Sequence, residues 1–133
     1  SYIKKTKSEN DIIYVAGDIV HAKTDMSPEL VAVVSDFFKN LADLAPTIVI
    51  TGNHDCNLNN SYRLDALSPI VKALNHPNLH YLKDNGIYYI SGIHFNVLSV
   101  FDKPANYIKA DQFEGEYKIN RCRIYFEQYS CYN

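Results

Sequence analysis

The sequence predicts an α/β fold: a βαβ unit, then a further helix, a β-hairpin and mixed strands. Three observations carry that expectation. Two short runs rich in β-branched residues, 12–16 and 47–51, each end at a glycine, Gly17 and Gly52. Between them lies a segment whose apolar residues recur at helical spacing. Beyond them the apolar runs are short and separated by turn residues.

In chain order, residues 1–10 are polar and lysine-rich and read as the exposed end of a helix. Ile12-Ile13-Tyr14-Val15-Ala16 is apolar without alternation, the pattern of a strand covered on both faces in a parallel sheet. Ser27-Pro28-Glu29 then opens a helix, with Ser as N-cap, Pro in the first turn and Glu beside the positive end of the dipole. Its stripe is Leu30, Val34, Phe37, Leu41 and Leu44, widened by Val31 and Phe38, and Pro46 closes it. Thr47-Ile48-Val49-Ile50-Thr51 is the second buried strand. Strand, helix, strand predicts a parallel pair, and such sheets gather their ligands at the carboxyl ends of the strands. Gly17-Asp18 and Gly52-Asn53 both fall at that edge.

Further along, residues 64–74 have helical spacing that Pro69 either starts or interrupts. Runs 79–82 and 87–90 flank Asp84-Asn85-Gly86, and Asn-Gly between apolar runs predicts a hairpin joining them. Residues 94–101 read as another strand. The tail departs from this pattern. Residues 117–133 hold two of the three cysteines, two of the three arginines and four tyrosines, without periodicity. The chain therefore divides into a domain over 1–116 and an atypical tail over 117–133. A shift of coding frame near residue 119 and an unusual terminal strand both account for the tail.

Bulk properties exclude several classes. A formal charge of −2 supplies no general electrostatic attraction to nucleic acid. No run approaches the roughly 18 apolar residues of a membrane span, and no charged-then-apolar start suggests a signal peptide. Cys56, Cys122 and Cys131 contain no C-x-x-C pair, which argues against a disulfide framework or structural zinc and for a reducing, cytoplasmic setting.

Two motifs carry chemistry: Gly17-Asp18-Ile19-Val20-His21 and Gly52-Asn53-His54-Asp55. A two-metal phosphoesterase needs a carboxylate to bridge two cations, further O and N ligands, and an imidazole at the leaving oxygen. Asp18 suits the bridge, the Asn53 side-chain oxygen a ligand, and His54 the phosphate. Asp55 is placed to accept the other ring proton of His54 and fix its tautomer. Gly17 and Gly52 let the backbone turn sharply so that these side chains stand over the strand ends. Each motif alone is also an ordinary turn sequence. Both together, each after a buried strand of one βαβ unit, favour a site.

The pair resembles the second and third signature motifs of the calcineurin-like metallophosphoesterases, G-D-x-x-H (or -D) and G-N-H-D, over residues 11 to about 115. His21 at the last position of the second motif, with the Ser27-Pro28 helix following, looks most like the DNA-repair exonuclease branch that contains the bacterial SbcD nuclease. The G-D-x-V-D-R-G of protein Ser/Thr phosphatases is absent. The resemblance implies Asp18 and Asn53 as metal ligands, and His54 and His21 as catalytic residues at the scissile phosphate. It implies two divalent ions, usually manganese, and a phosphoester substrate, DNA in this branch, sometimes with an ATPase partner subunit.

The same resemblance exposes gaps. The family opens with D-x-H on its first strand and later adds a strand-end histidine and G-H-x-H, and none of these occurs in this sequence. The expected fold is therefore a partial metallophosphoesterase sandwich lacking its first and C-terminal strands, binding metal weakly or not at all alone. Its strand over 12–16 would form an open apolar edge, calling for a complementing fragment. A degenerate, non-catalytic relative, either a binding module or a pseudogene product, and a phosphatase or phosphodiesterase of the same superfamily are the alternatives. His76 and His80 read as surface or capping residues, and His94 as a structural one.

Overall fold

The longest helix shows most directly how the sequence sets its own boundaries. In the computed structural model, which describes residues 2–21, 26–55 and 65–112 and the backbone of 123–127, helix α2 runs over Pro28–Leu44. The Ser27 side chain accepts the Leu30 amide at 3.1 Å, satisfying one of the orphan donors of the first turn. Such a cap stabilises a helix by about 1 kcal/mol. The helix stops at Ala45, one residue before Pro46.

The buried face of α2 differs from the expected stripe at Phe37 and Val31. Val34, Phe38, Leu41 and Ala42 are buried, whereas Phe37 is 45% and Val31 36% exposed. Adjacent phenylalanines sit about 100° apart around a helix, so only one of them can face the sheet. Position 38 aligns with Val34, Leu41 and Ala42, and Phe38 takes the core.

Before α2 come an exposed helix, α1 over Tyr2–Thr6, and a short strand, β1 over Ile13–Val15. After it come β2 over Thr47–Ile50, helix α3 over Ser68–Leu74, and β3 over Leu79–Leu82. The sheet order is β1-β2-β3, with β1 and β2 parallel and Val15 opposite Val49. All four residues of β2 are buried, as its unbroken apolar run requires of a central strand. β1 is an outer strand and only half-buried. Pro69 lies at the start of α3 and does not interrupt it. This first unit, Ser1–Tyr81, has a core of α2, β2 and α3 residues centred on Phe38, Val49, Leu67 and Ile70.

The second unit, Leu82–Asn133, contains β4 over Gly86–Ile90, β5 over Ile93–Leu98 and β6 over Arg123–Glu127. β5 pairs antiparallel with β4 and parallel with β6. The hairpin is therefore not where Asn85-Gly86 predicted it. β3 belongs to the first sheet, and the tight turn is Ser91-Gly92, both at positive φ (51° and 81°), between Ile90 and Ile93. Two consecutive positive φ values are what a two-residue hairpin turn needs. Asn85 is occupied elsewhere: its side chain donates to Asp102 Oδ2 at 2.8 Å and accepts the Ser99 amide at 2.6 Å. Asn85 therefore ties the start of β4 to the segment that follows β5. The three cysteines lie outside the described residues, as does most of the 117–133 tail. No described helix is long and apolar enough to cross a membrane.

Candidate active site

Because β1 and β2 run parallel, the loops that leave them emerge at one end of the sheet. Gly17 and Asp18 turn the first loop with φ of 88° and 53°, values open to glycine and tolerated by aspartate. The loops then meet backbone to backbone. A Cβ on Gly17 would lie 2.5 Å from the Gly52 nitrogen, and one on Gly52 would lie 2.0 Å from Asp18 Oδ1. Neither position has room for a side chain, which is the physical reason for glycine at both.

One buried carboxylate ties the loops together. Asp55 is fully buried, and its Oδ2 accepts the amides of Asp18 at 2.7 Å and Gly52 at 2.9 Å. Its Oδ1 accepts the amide of Val20 at 2.9 Å. The Asp55 carbonyl accepts the Ala66 amide at 2.8 Å, linking the loop to the approach of α3. Burial pushes the Asp55 carboxyl above its ordinary range, the three amides pull it back, and the nearby Asp18 charge adds a smaller upward push. These contacts correct the expected role. Asp55 does not hold the His54 ring; it holds the backbone of both loops.

With Asp55 inside the knot, the chemistry-bearing groups stand outside it. Asp18 is exposed, and its Oδ1 accepts the His54 amide at 3.0 Å. The His54 and His21 rings stack with centroids 4.8 Å apart and planes 30° off parallel. The Nδ1 atom of His54 is buried without a hydrogen-bond partner among the described residues. Asn53 is half-buried in the same loop. Asp18, His21, Asn53 and His54, singled out by the sequence, thus belong to one pair of touching loops.

The remaining histidines lie in other elements. His76 Nε2 pairs with Asp43 Oδ1 at 2.7 Å, and its Nδ1 accepts the Asn78 amide at 3.1 Å, closing the turn before β3. His94 packs on Tyr89 across the β4–β5 hairpin, ring centroids 4.6 Å apart. His80 lies half-buried in β3.

A second polar layer under the 52–55 loop was not anticipated. Thr51 Oγ1 lies 2.5 Å from the Tyr81 hydroxyl, which donates to Asp65 Oδ1 at 2.7 Å. Asp65, 2% exposed, also accepts the amides of Leu67 and Ser68 and the Ser68 hydroxyl. The available signal was Asp65-x-x-Ser68-Pro69, a capping pattern at a helix start.

The donors for metal are few. Among the described residues no three His, Cys, Asp or Glu side chains come together as a metal-binding group. Asp55 is committed to three amides and one Asp18 oxygen to the His54 amide. The rest of the Asp18 carboxylate and the Asn53 amide are the groups here that would hold metal. They do not fit two divalent ions by themselves, each of which needs about six ligands when octahedral.

No solved structure matches the chain. A curated relative, the uncharacterized protein R555 of Acanthamoeba polyphaga mimivirus, is 49% identical over 111 residues. That alignment covers 83% of this chain, and the chain spans only 8% of the relative's length. The calcineurin-like phosphoesterase family matches residues 2–126, which include both loops, α2 and all but the last residue of the two sheets. The chain belongs to the calcineurin-like phosphoesterase family.

Proposed function

We propose that this chain supplies the phosphate-facing loops of a metal-dependent phosphoester hydrolase acting on nucleic acid. The observation that carries this reading is the stacked His21–His54 pair beside Asp18, at the carboxyl ends of two parallel strands. Hydrolysis of a phosphodiester adds water across a P–O bond, giving a phosphomonoester and an alcohol, and the departing oxygen must gain a proton. Two adjacent imidazoles provide a proton donor there and a second donor to a non-bridging phosphate oxygen. The His54 amide, bonded to Asp18, fixes the loop relative to the carboxylate. The nuclease assignment is supported by His21 in the second motif, where the DNA-repair exonuclease branch also has histidine.

The scarcity of metal donors favours a second reading, a non-catalytic relative that keeps the loops for binding. One set of variants separates the two. In the native protein supplied with manganese, Asp18→Ala abolishes manganese binding and hydrolysis of bis(p-nitrophenyl) phosphate or an oligonucleotide. His54→Ala spares binding and lowers turnover by about 10²–10⁴-fold, the usual contribution of a general acid. A His54→Ala protein as active as the wild type sinks the hydrolase reading, and absence of turnover with manganese bound establishes the binding module. Tight two-site manganese binding by residues 1–133 in a calorimetric titration would contradict the incomplete donor set.

A further inference from the structure

The layer beneath the 52–55 loop has a direction. Asp65 is a buried acceptor that takes two amides and the Ser68 hydroxyl, so at its contact with Tyr81 it is the phenol that donates. The Tyr81 oxygen then has its lone pairs left for Thr51, and the Thr51 hydroxyl donates to it at 2.5 Å. Thr51 is 2% exposed and is the residue immediately before Gly52. Burial pushes the Tyr81 hydroxyl far above its ordinary range, which keeps the donating proton in place.

Each member of this relay fixes a different element. Tyr81 comes from β3, Thr51 follows β2, and Asp65 organises the backbone entering α3 through the Leu67 and Ser68 amides. Asp65 is one residue before Ala66, whose amide holds the Asp55 carbonyl. Thr51 and Ala66 are thus the two ends by which the 52–55 loop is anchored away from the first loop. The Tyr81 hydroxyl bonds to a side chain at each end, Thr51 directly and Asp65 beside Ala66.

We infer that Tyr81 is a positioning residue for the catalytic loop, setting through Thr51 and Asp65 where His54 stands relative to Asp18. Its effect on turnover rests on the phosphoesterase function proposed above; its effect on loop order does not. Tyr81→Phe removes one oxygen and keeps the ring, leaving the Thr51 hydroxyl without this acceptor and Asp65 without this donor.

The experiment is residue-resolved amide hydrogen exchange on the native protein and its variants, beside manganese-dependent hydrolysis of bis(p-nitrophenyl) phosphate. In Tyr81→Phe, exchange at Gly52, His54 and Ala66 accelerates by about tenfold, the equivalent of one lost buried hydrogen bond, while Val49 and Phe38 keep their wild-type rates. Turnover falls with the KM unchanged, because the substrate still binds and the imidazole is misplaced. Thr51→Val reproduces the exchange pattern, Thr51→Ser restores it by keeping the hydroxyl, and Tyr81→Phe combined with Thr51→Val is no worse than Tyr81→Phe alone. Uniform acceleration that includes Val49 and Phe38 means Tyr81 only stabilises the fold and overturns the inference. So do unchanged rates at Gly52 and His54. Should Tyr81→Phe fail to fold, the Thr51→Val and Thr51→Ser pair decides by the same amides. The expected exchange pattern in a protein without hydrolytic activity upholds the positioning role and removes the proposed function; normal hydrolysis with unaltered exchange does the reverse.

Discussion

Two corners of this chain are each organised by a single polar side chain, Asp55 in the first unit and Asn85 in the second. Asp55 is a fully buried carboxylate, and its oxygens collect the amides of Asp18, Val20 and Gly52 from two loops. Asn85 is neutral and half-buried, and engages one partner with each end of its amide, Asp102 and Ser99. The surroundings differ in the same sense. Around Asn85 the polar groups engage one another: Ser99 donates to the Lys83 carbonyl, Asn106 to Asp102, and Tyr107 to the Ser99 carbonyl. Around Asp55 the fixed backbone carries Asp18, His21 and His54 on its outer side, and one His54 nitrogen has no partner among the described residues. The first arrangement presents side chains outward; the second closes on itself.

If that distinction is physical, the two corners differ most in what their removal costs. Asp55→Ala leaves two buried amides and one part-buried amide without their acceptor, and hydrogen bonds to a charged group contribute about 1.5–3 kcal/mol each without adding fully. We expect a loss on the order of 4 kcal/mol in urea denaturation, or a chain that does not fold. Asn85→Ala removes two contacts of a neutral, half-buried amide, and the expected loss is about 1–2 kcal/mol. Equal losses at the two positions would break the comparison. Asp55→Asn sharpens it, because an amide keeps one accepting oxygen and sets its NH2 against the amides it replaces.

The same contrast marks where the sequence was informative. Ser27-Pro28, Pro46 and the unbroken apolar runs before Gly17 and Gly52 place α2, β1 and β2 to within a residue or so, because caps and burial are local consequences of residue type. Asp18, His21, Asn53 and His54 were likewise singled out from the loops that follow those strands, and those loops do meet. What escaped depends on partners distant in sequence. Nothing local tells Phe37 from Phe38; the sheet under α2 decides between them. Asn85-Gly86 has the residues of a hairpin turn, but Asp102 and Ser99 engage Asn85, and Ser91-Gly92 makes the hairpin. Asp55 was assigned to its sequence neighbour His54, whereas its carboxylate bonds residues of the first loop, 35 and 37 positions away. Tyr81 and Asp65 were invisible for the same reason, being joined only by the return of β3 beside β2.

The smallest expected effect separates the units by pH. Burial holds the His80 imidazole in β3 below its ordinary value of 6.5, so the unfolded chain binds the proton more readily than the folded one. As pH falls below 6.5, stability in the first unit therefore declines until the folded value is reached. In the second unit Asp102 is held below its ordinary 3.8 by the Asn106 side chain first, then by the Lys103 amide and Asn85. Its contribution is complete above 3.8 and is lost only as pH falls through the lower folded value. The His80 contribution should thus loosen the first unit in mild acid, opposed there by Asp55, whose raised value favours the folded state as pH falls. Asp102 contributes no change to the second unit in this range. Amide exchange compared between pH 7 and 5.5 tests this, with β2 amides losing protection and β5 amides keeping theirs after correction for intrinsic rates. His80→Gln should remove that loss, since a side chain that does not titrate cannot link protonation to folding. Equal sensitivity of both strands in wild type and variant would show that the two corners share one stability, and that the difference between Asp55 and Asn85 is confined to what each supports.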